Sequence, residues 1–292
     1  MPQFGVSPPG RYWDLGSYRV HAEIRGEGSP AVVLLSSAAA FDWQLVLPEI
    51  SKFTTVLSYD RAGLGWSEVS QVGKDLGSMT AELEALLRVS ALPRPHIVVA
   101  HAGAGLLARR FVDLHRELVC GMVLVDSAHE QEWARMPVSQ RAFADAMRMF
   151  KALSFLARLR LLSPTLRLLG GPGGPYRALP RQAREAMVSW LSHPDSAVAL
   201  RAELEQLLPE LQAGTPPRSL GDLPLIVLEA TRDRPSEWSL LQRELAQLSR
   251  RGIVQRVEDC GHYIPIEKPD AVVNAVRDVL RQCLSGRVQD DA

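Results

Sequence analysis

Short apolar segments that alternate with helical patterns constrain the fold of this chain more than any other feature. Residues 18–24 alternate between polar and apolar side chains, as expected for a strand with one buried face. Four further runs, at 31–35, 54–58, 96–100 and 122–125, are continuous and rich in Val and Leu. Such runs are typical of strands that are buried on both faces of a parallel sheet. Because helical patterns at 79–87 and 106–114 lie between them, the sequence predicts βαβ units.

The middle of the chain departs from this alternation. From about 131 to 221 the pattern is helical throughout, at 141–162, 180–191 and 197–211, with a Gly- and Pro-rich stretch at 170–175. Strand patterns return at 225–229 and 253–257, a helix is predicted over 270–283, and the tail 286–292 is expected to fray. We therefore expect an α/β fold, with a mostly parallel sheet flanked by helices. The core domain would comprise residues 1–130 and 222–292, and residues 131–221 would form a helical cap.

Composition and charge exclude several classes of function. The 292 residues carry 33 Lys and Arg against 33 Asp and Glu, so no general field attracts nucleic acid. Three cysteines are too few and too scattered for a disulfide framework or a zinc site, and the histidines show no metal-ligand spacing. The N-terminal residues lack the pattern of a signal peptide, and no apolar run approaches the roughly 18 residues of a membrane span. We expect a cytoplasmic monomer or homodimer without an integral membrane segment or a nucleic-acid partner.

One predicted strand leads directly into a turn of small residues and then into a helix. Strand 96–100 continues as His101-Ala102-Gly103-Ala104-Gly105, and the helix 106–114 follows. This is the arrangement of a nucleophile elbow, in which a strained central residue needs small neighbours. The Gly103 N–H and the start of the helix would stabilise negative charge beside the central side chain. The central residue, however, is Ala102, which has no atom that can attack a substrate.

Candidate partners of this turn follow three other strands. His262 comes just after the last predicted strand and is placed to act as a general base. Asp233 follows the strand at 225–229, and Asp126 follows the strand at 122–125. Either carboxylate could orient the imidazole and stabilise its protonated form. All of these positions are at carboxyl ends of strands, where open α/β sheets place their functional sites.

These segments together resemble the α/β-hydrolase fold superfamily. The resemblance rests on DRAGLGWS at 60–67, AHAGAGLLARRF at 100–111, VLVDSAHE at 123–130 and GHYIPIEKPDAVV at 261–273. It implies a serine hydrolase that acts on an ester or a lactone and needs no cofactor or metal. In the family, the residue that corresponds to Ala102 is usually Ser and sometimes Asp or Cys, so this sequence departs from the pattern there. Among the two acids the resemblance favours Asp233, with Asp126 as the alternative. The implied oxyanion donors are the N–H groups of Gly103 and Ala38, with Ser37 or Ser36 as alternatives to Ala38.

Two hypotheses account for Ala102. In the first, which we favour because every other part of an acyl-transfer site is present, alanine replaces a serine and disables an enzyme that acts on a hydrophobic small molecule with an acyl bond. In the second, the chain naturally lacks the nucleophile. It would then be a lyase, cyclase or isomerase that uses His262, or a protein that only binds its ligand.

The predicted cap is unusually basic. No acidic residue lies between Asp145 and Glu185, whereas leucines and phenylalanines are interleaved with basic residues. A basic amphipathic helix can bind a membrane surface or an anionic partner. The interpretation that we prefer at this point is a lid that packs its apolar face over the pocket and leaves its charges in solvent. The basic residues are Arg148, Lys151, Arg158, Arg160, Arg167, Arg177, Arg181 and Arg184.

Overall fold

A computed structural model describes residues 7–168 and 173–290 of the chain. Its eight strands form one sheet in the order β1-β2-β4-β3-β5-β6-β7-β8. The pairs β1–β2 and β2–β4 are antiparallel, and every other neighbouring pair is parallel. The strands are β1 (Arg11–Asp14), β2 (Arg19–Arg25), β3 (Ala31–Leu35), β4 (Val56–Tyr59), β5 (His96–His101), β6 (Val119–Val125), β7 (Leu225–Ala230) and β8 (Gly252–Val257).

Helices cover both faces of this sheet and also form an insertion between β6 and β7. They are α1 (Leu47–Ile50), α2 (Leu76–Ser90), α3 (Ala104–Leu114), α4 (Glu132–Arg135), α5 (Pro137–Arg158), α6 (Leu162–Leu168), α7 (Arg181–Leu191), α8 (Pro194–Ala213), α9 (Ser236–Gln247), α10 (Ile264–Glu267) and α11 (Pro269–Asp290). Short 3-10 segments span Ala40–Trp43, Arg116–Leu118 and Gly174–Ala178.

The central strands are buried on both faces because their side chains alternate between two apolar layers. In β3, Val33 and Leu35 pack into the layer that also contains residues of α2 and α3. Val32 and Leu34 pack into the opposite layer, together with residues of α1 and α11. All five residues of β3 are inaccessible to solvent. This double burial explains why the strand has a continuous apolar sequence rather than an alternating one.

The expected α/β architecture, a mostly parallel sheet flanked by helices, is confirmed, with differences at the chain ends and in one connection. The sequence pattern missed β1, a short strand at the edge of the sheet, and it missed α9 between β7 and β8. The expectation of a frayed tail at 286–292 is wrong for its first part, because α11 continues to Asp290, and residues 291 and 292 lie outside the described part of the chain. Of the Gly- and Pro-rich stretch, residues 170–172 lie outside the described part of the chain.

The insertion packs onto the carboxyl edge of the sheet through an apolar cluster and one buried ion pair. Phe41 and Trp66 from the sheet side pack with Met187 and Trp190 of α7. Nearby, Arg61 Nε lies 3.1 Å from Glu203 Oε2 of α8, and both side chains are buried. The insertion therefore packs against the loops that follow β3, β4 and β8. Among the described residues, no helix is long and apolar enough to cross a membrane.

Candidate active site

Ala102 lies between β5 and α3 in a backbone conformation that alanine rarely adopts. Its φ angle is +52°, in the left-handed region, where a residue with a Cβ is strained. The Ala102 N–H donates to the Val125 carbonyl at 3.1 Å, and its own carbonyl accepts from the Ala128 N–H at 3.0 Å. The end of β6 and the loop that follows it therefore both hold the strained turn in place. A strained turn between a strand and a helix is the geometry of a nucleophile elbow, and here its central side chain is a methyl group.

Close packing explains the small residues around this turn. A Cβ placed on Gly105 would lie 1.6 Å from Ser127 Oγ, so only glycine lets α3 approach the β6 loop this closely. On the other side, Ser37 Oγ accepts from the Ala104 N–H at 3.3 Å and donates to the His101 carbonyl at 3.2 Å. The loop after β3 is thus joined directly to the elbow by the Ser37 hydroxyl.

His262 and Asp126 meet at the carboxyl ends of β8 and β6. His262 Nδ1 lies 2.7 Å from Asp126 Oδ2, and the Asp126 side chain is completely buried. Asp126 Oδ1 accepts from the Trp238 Nε1–H at 2.8 Å and from the Ala230 N–H at 3.2 Å. These donors stabilise the carboxylate in its charged form, in which it can orient the imidazole.

This pairing corrects the preference for Asp233. Asp233 is exposed in the turn between β7 and α9, with a φ angle of +59°, and Asp126 is the carboxylate that contacts His262. The physical reason is the path of the chain after β7, because the next residue, Arg234, occupies the space beside the imidazole. The structure therefore brings together Ala102, Asp126 and His262 at one edge of the sheet and leaves Asp233 in solvent.

Arg234 is a component of the site that the sequence patterns did not reveal. Its Nη2 contacts Asp126 Oδ2 and also lies 2.6 Å from His262 Nδ1. Its guanidinium carbon is 4.4 Å from the centre of the Trp238 ring. Nδ1 can donate to Asp126, or it can accept from Arg234, but it cannot do both in one tautomer. Which tautomer forms decides whether Nε2 is available as a base.

The charges around His262 favour its neutral form. Burial, followed by the charges of His101 and Arg234, lowers the pKa of His262 well below its usual range. Burial also lowers the pKa of Arg234 to about 10, although the guanidinium is still protonated at neutral pH. A neutral imidazole is the form that can accept a proton.

A second histidine, His101, directly precedes Ala102 and has different surroundings. His101 Nδ1 lies 3.0 Å from Asp42 Oδ2, and Nε2 lies 3.0 Å from the His262 carbonyl oxygen. Both partners are acceptors, and the His101 side chain is buried. The other Asp42 oxygen accepts from the Tyr176 hydroxyl at 3.3 Å. Burial and the charge of Asp42 raise the pKa of Tyr176, which keeps the phenol protonated. Neither Asp42 nor Tyr176 belongs to a recognisable motif, so only the fold reveals them.

The expected oxyanion donors follow β3 and Ala102. The Ala104 N–H donates a hydrogen bond to Ser37 Oγ, but no described residue accepts one from the Gly103 N–H. Ser37 lies against Gly103, since a Cβ on that glycine would be 3.1 Å from Ser37 Oγ. Arg61 donates to the carbonyl oxygens of Ser36 and Ser37 and so fixes the course of the loop that leads to Ala38. The Ser36 side chain is buried, which makes it the least accessible of the candidates.

Metal-ligating side chains do not cluster in the part of the chain that the structure describes. No group of three or more His, Cys, Asp or Glu side chains there could hold a metal ion. The chemistry that the residues around Ala102 offer is proton transfer at His262 and hydrogen-bond donation at the elbow.

Comparisons with known proteins agree with this architecture. A family model described as "Alpha/beta hydrolase family" matches residues 32–275. A protein described as an AB hydrolase superfamily protein of Gibberella zeae is 23% identical over 86% of this chain and 86% of its own length. The chain spans only 20% and 44% of the length of two other curated relatives, a probable transporter of Hormonema carpetanum and an uncharacterized protein of Bacillus subtilis.

Solved structures with low sequence identity share the fold. An epoxide hydrolase of Bacillus megaterium, in complex with an inhibitor, superposes with a TM-score of 0.72 at 17% identity, over 93% of this chain and 100% of that chain. An enol-lactonase of Burkholderia xenovorans LB400 superposes with a TM-score of 0.61 at 18% identity, over the same shares of the two chains.

Proposed function

Because the chain belongs to the alpha/beta hydrolase family, we propose that its site is built to hydrolyse an ester, a lactone or a related acyl bond of a hydrophobic small molecule. The observation that carries this proposal is the contact between His262 and Asp126 beside an alanine that still has the elbow conformation. In the sequence as it stands, Ala102 occupies the position of the nucleophile, so the chain is a disabled form of such an enzyme. Both a lactonase and an epoxide hydrolase occur among the proteins that share its fold.

With a hydroxyl at position 102, each remaining group has a role in acyl transfer. The hydroxyl attacks the carbonyl carbon while its proton moves to His262 Nε2, and Asp126 stabilises the imidazolium that results. The N–H groups of Gly103 and Ala38 stabilise the oxyanion, and His262 returns its proton to the leaving group. A water molecule, activated by His262, then releases the acid. None of these steps requires a metal or an organic cofactor.

The insertion supports the choice of a hydrophobic substrate. We propose that residues 131–221 form a cap over a core domain made of residues 1–130 and 222–292. The aromatic and aliphatic residues between cap and core form one cluster next to the site, and Ala38, Tyr176 and Tyr263 lie at its partly buried margin. Apolar lining with a few polar groups is typical of sites for small organic molecules.

The test is to restore the hydroxyl with Ala102→Ser. We expect the serine variant to react with a fluorophosphonate probe and to hydrolyse short-chain nitrophenyl esters, whereas the original chain does neither. Peptide mapping must place the label on residue 102, and the double variant Ala102→Ser with Ser37→Ala controls for reaction at the nearby Ser37. A folded serine variant that is neither labelled nor active would contradict the proposal.

The position of Arg234 beside His262 favours a second candidate function, in which the protein binds a ligand or transfers protons without hydrolysis. If Nδ1 of His262 accepts from Arg234, the ring proton is on Nε2, and His262 cannot act as a base toward residue 102. Nε2–H would instead donate a hydrogen bond to a ligand or protonate it. A folded, inert serine variant would support this candidate. Turnover of that variant would exclude it in favour of the hydrolase.

A further inference from the structure

The outer face of α5 and the turn after it expose large apolar side chains to solvent. Phe155 is 64% exposed, Leu159 is 52% exposed and Leu161 is 50% exposed. Along the 22 residues of α5, only Ala157 is fully buried. Single exposed leucines are common on protein surfaces, but three such side chains within a segment this short form a patch that normally has a partner.

Basic side chains share this face. Arg148 precedes Phe155 by two helical turns and Leu159 follows it by one, so all three lie on one side of α5. Lys151 lies one turn before Phe155 and Arg158 lies one turn after it, and both side chains are exposed. Apolar and cationic groups are therefore interleaved on one exposed face.

A groove next to this face is lined by cationic and hydroxyl side chains. Its volume is about 620 Å³, and Arg158, Arg160, Ser163, Ser189, Ser192 and His193 line it. Within residues 7–168 and 173–290, neither arginine forms an ion pair with a carboxylate. Guanidinium and hydroxyl groups are the donors that bind phosphate oxygens.

We propose that this surface docks onto a membrane that contains anionic phospholipids. The apolar side chains would enter the interface between headgroups and acyl chains, while the cationic groups contact lipid phosphates. The docking face consists of Arg148, Lys151, Phe155, Arg158, Leu159, Arg160 and Leu161.

The distribution of charge supports an anionic membrane rather than a neutral membrane as the partner. The chain as a whole has no net charge, but no acidic residue lies between Asp145 and Glu185. Asp145 itself is paired with Arg148, at 2.5 Å. The docking face is thus locally cationic on a neutral protein, and it combines this charge with exposed apolar groups. The proposal goes beyond the hydrolytic function and does not depend on it.

Cosedimentation with vesicles tests the proposal on the full chain. We expect binding to vesicles of phosphatidylcholine mixed with phosphatidylglycerol, and little binding to phosphatidylcholine alone. Arg158→Gln with Arg160→Gln should weaken binding by about fivefold for each arginine removed, and added salt should also weaken it. Phe155→Ser with Leu159→Ser should weaken binding as well, because it removes the groups that enter the interface.

Matched controls lie outside the insertion. Arg256→Gln with Arg281→Gln removes two exposed arginines, and Leu240→Ser with Leu284→Ser removes two leucines that are 44% and 43% exposed. These controls should bind as the original chain does. Absence of binding to anionic vesicles, or equal loss in the control variants, would overturn the proposal. The proposal would also fail if the chain bound no vesicles but associated with itself, and if Phe155→Ser abolished that self-association.

Discussion

On each of two sides of Ala102 a histidine lies next to a buried carboxylate, but the two histidines differ in whether a ring nitrogen remains available to a further group. On the β6–β8 side, the contacts of His262 with Asp126 and Arg234 both involve Nδ1, and its side chain is 34% exposed. On the β3 side, both nitrogens of His101 have acceptors, and the ring is buried. This difference shows that a histidine beside a carboxylate is a candidate base only if its second ring nitrogen has no partner within the protein and can contact a substrate.

The largest expected effect concerns the acid on the β6–β8 side. In the Ala102→Ser background, Asp126→Asn should lower kcat by a factor on the order of 10⁴, because the imidazole loses the carboxylate that orients it. Asp233→Asn is the matched control and should change kcat by less than about twofold, since exposed surface substitutions have small effects. Steady-state ester hydrolysis measures both. A large loss in the Asp233 variant alone would reverse the assignment.

The next effect concerns stability on the β3 side. Asp42→Ala should lower the free energy of unfolding by about 1–3 kcal/mol, because it leaves the buried His101 Nδ1 and the Tyr176 hydroxyl without their acceptor. Asp278→Ala, which removes the partner of Arg281 at an exposed site, should cost less than about 1 kcal/mol. Urea denaturation measures the difference. Equal values for the two variants would show that His101 and Asp42 are not a stabilising pair.

The smallest expected effect is a change in the pKa of His262. Arg234→Met should raise the pKa of His262 toward 6.5, because the charge of Arg234 is one cause of its lowered value, after burial and His101. Asp42, Glu267 and the ring of Tyr263 also face this imidazole and remain in the variant. NMR titration of the imidazole measures the shift, and Arg256→Met is the control.

The lowered pKa of His262 also determines how the stability of the folded chain depends on pH. The folded pKa of His262 is below the unfolded value of 6.5, so the unfolded chain binds more protons between these two values. The stability contributed by neutral His262 is therefore present above pH 6.5 and is lost as the pH falls toward the folded pKa. Arg234→Met should reduce this loss. An unchanged pKa in the variant would show that Arg234 does not act on His262.

The fold was largely predictable because burial on two faces leaves a continuous apolar signature. The pattern at 31–35 coincides with β3, whereas β1 has no fully buried residue and gave no such signal. The elbow was also predictable, since close packing at Gly105 demands small residues. The choice between Asp126 and Asp233 was not, because both follow strands and only the path of the chain after β7 separates them. Arg234 and Asp42 act through contacts between distant segments, which no local pattern records.

The ion pair between Arg61 and Glu203 has a consequence for which helices of the insertion can move away from the sheet. Arg61 holds the carbonyl oxygens of Ser36 and Ser37 with the same guanidinium that contacts α8. Moving α8 away from the sheet would separate two charges in a medium of low polarity and would release the loop beside the elbow. We therefore expect α8 to stay against the sheet, so that any opening next to Ala102 depends on movement of the helices that precede it.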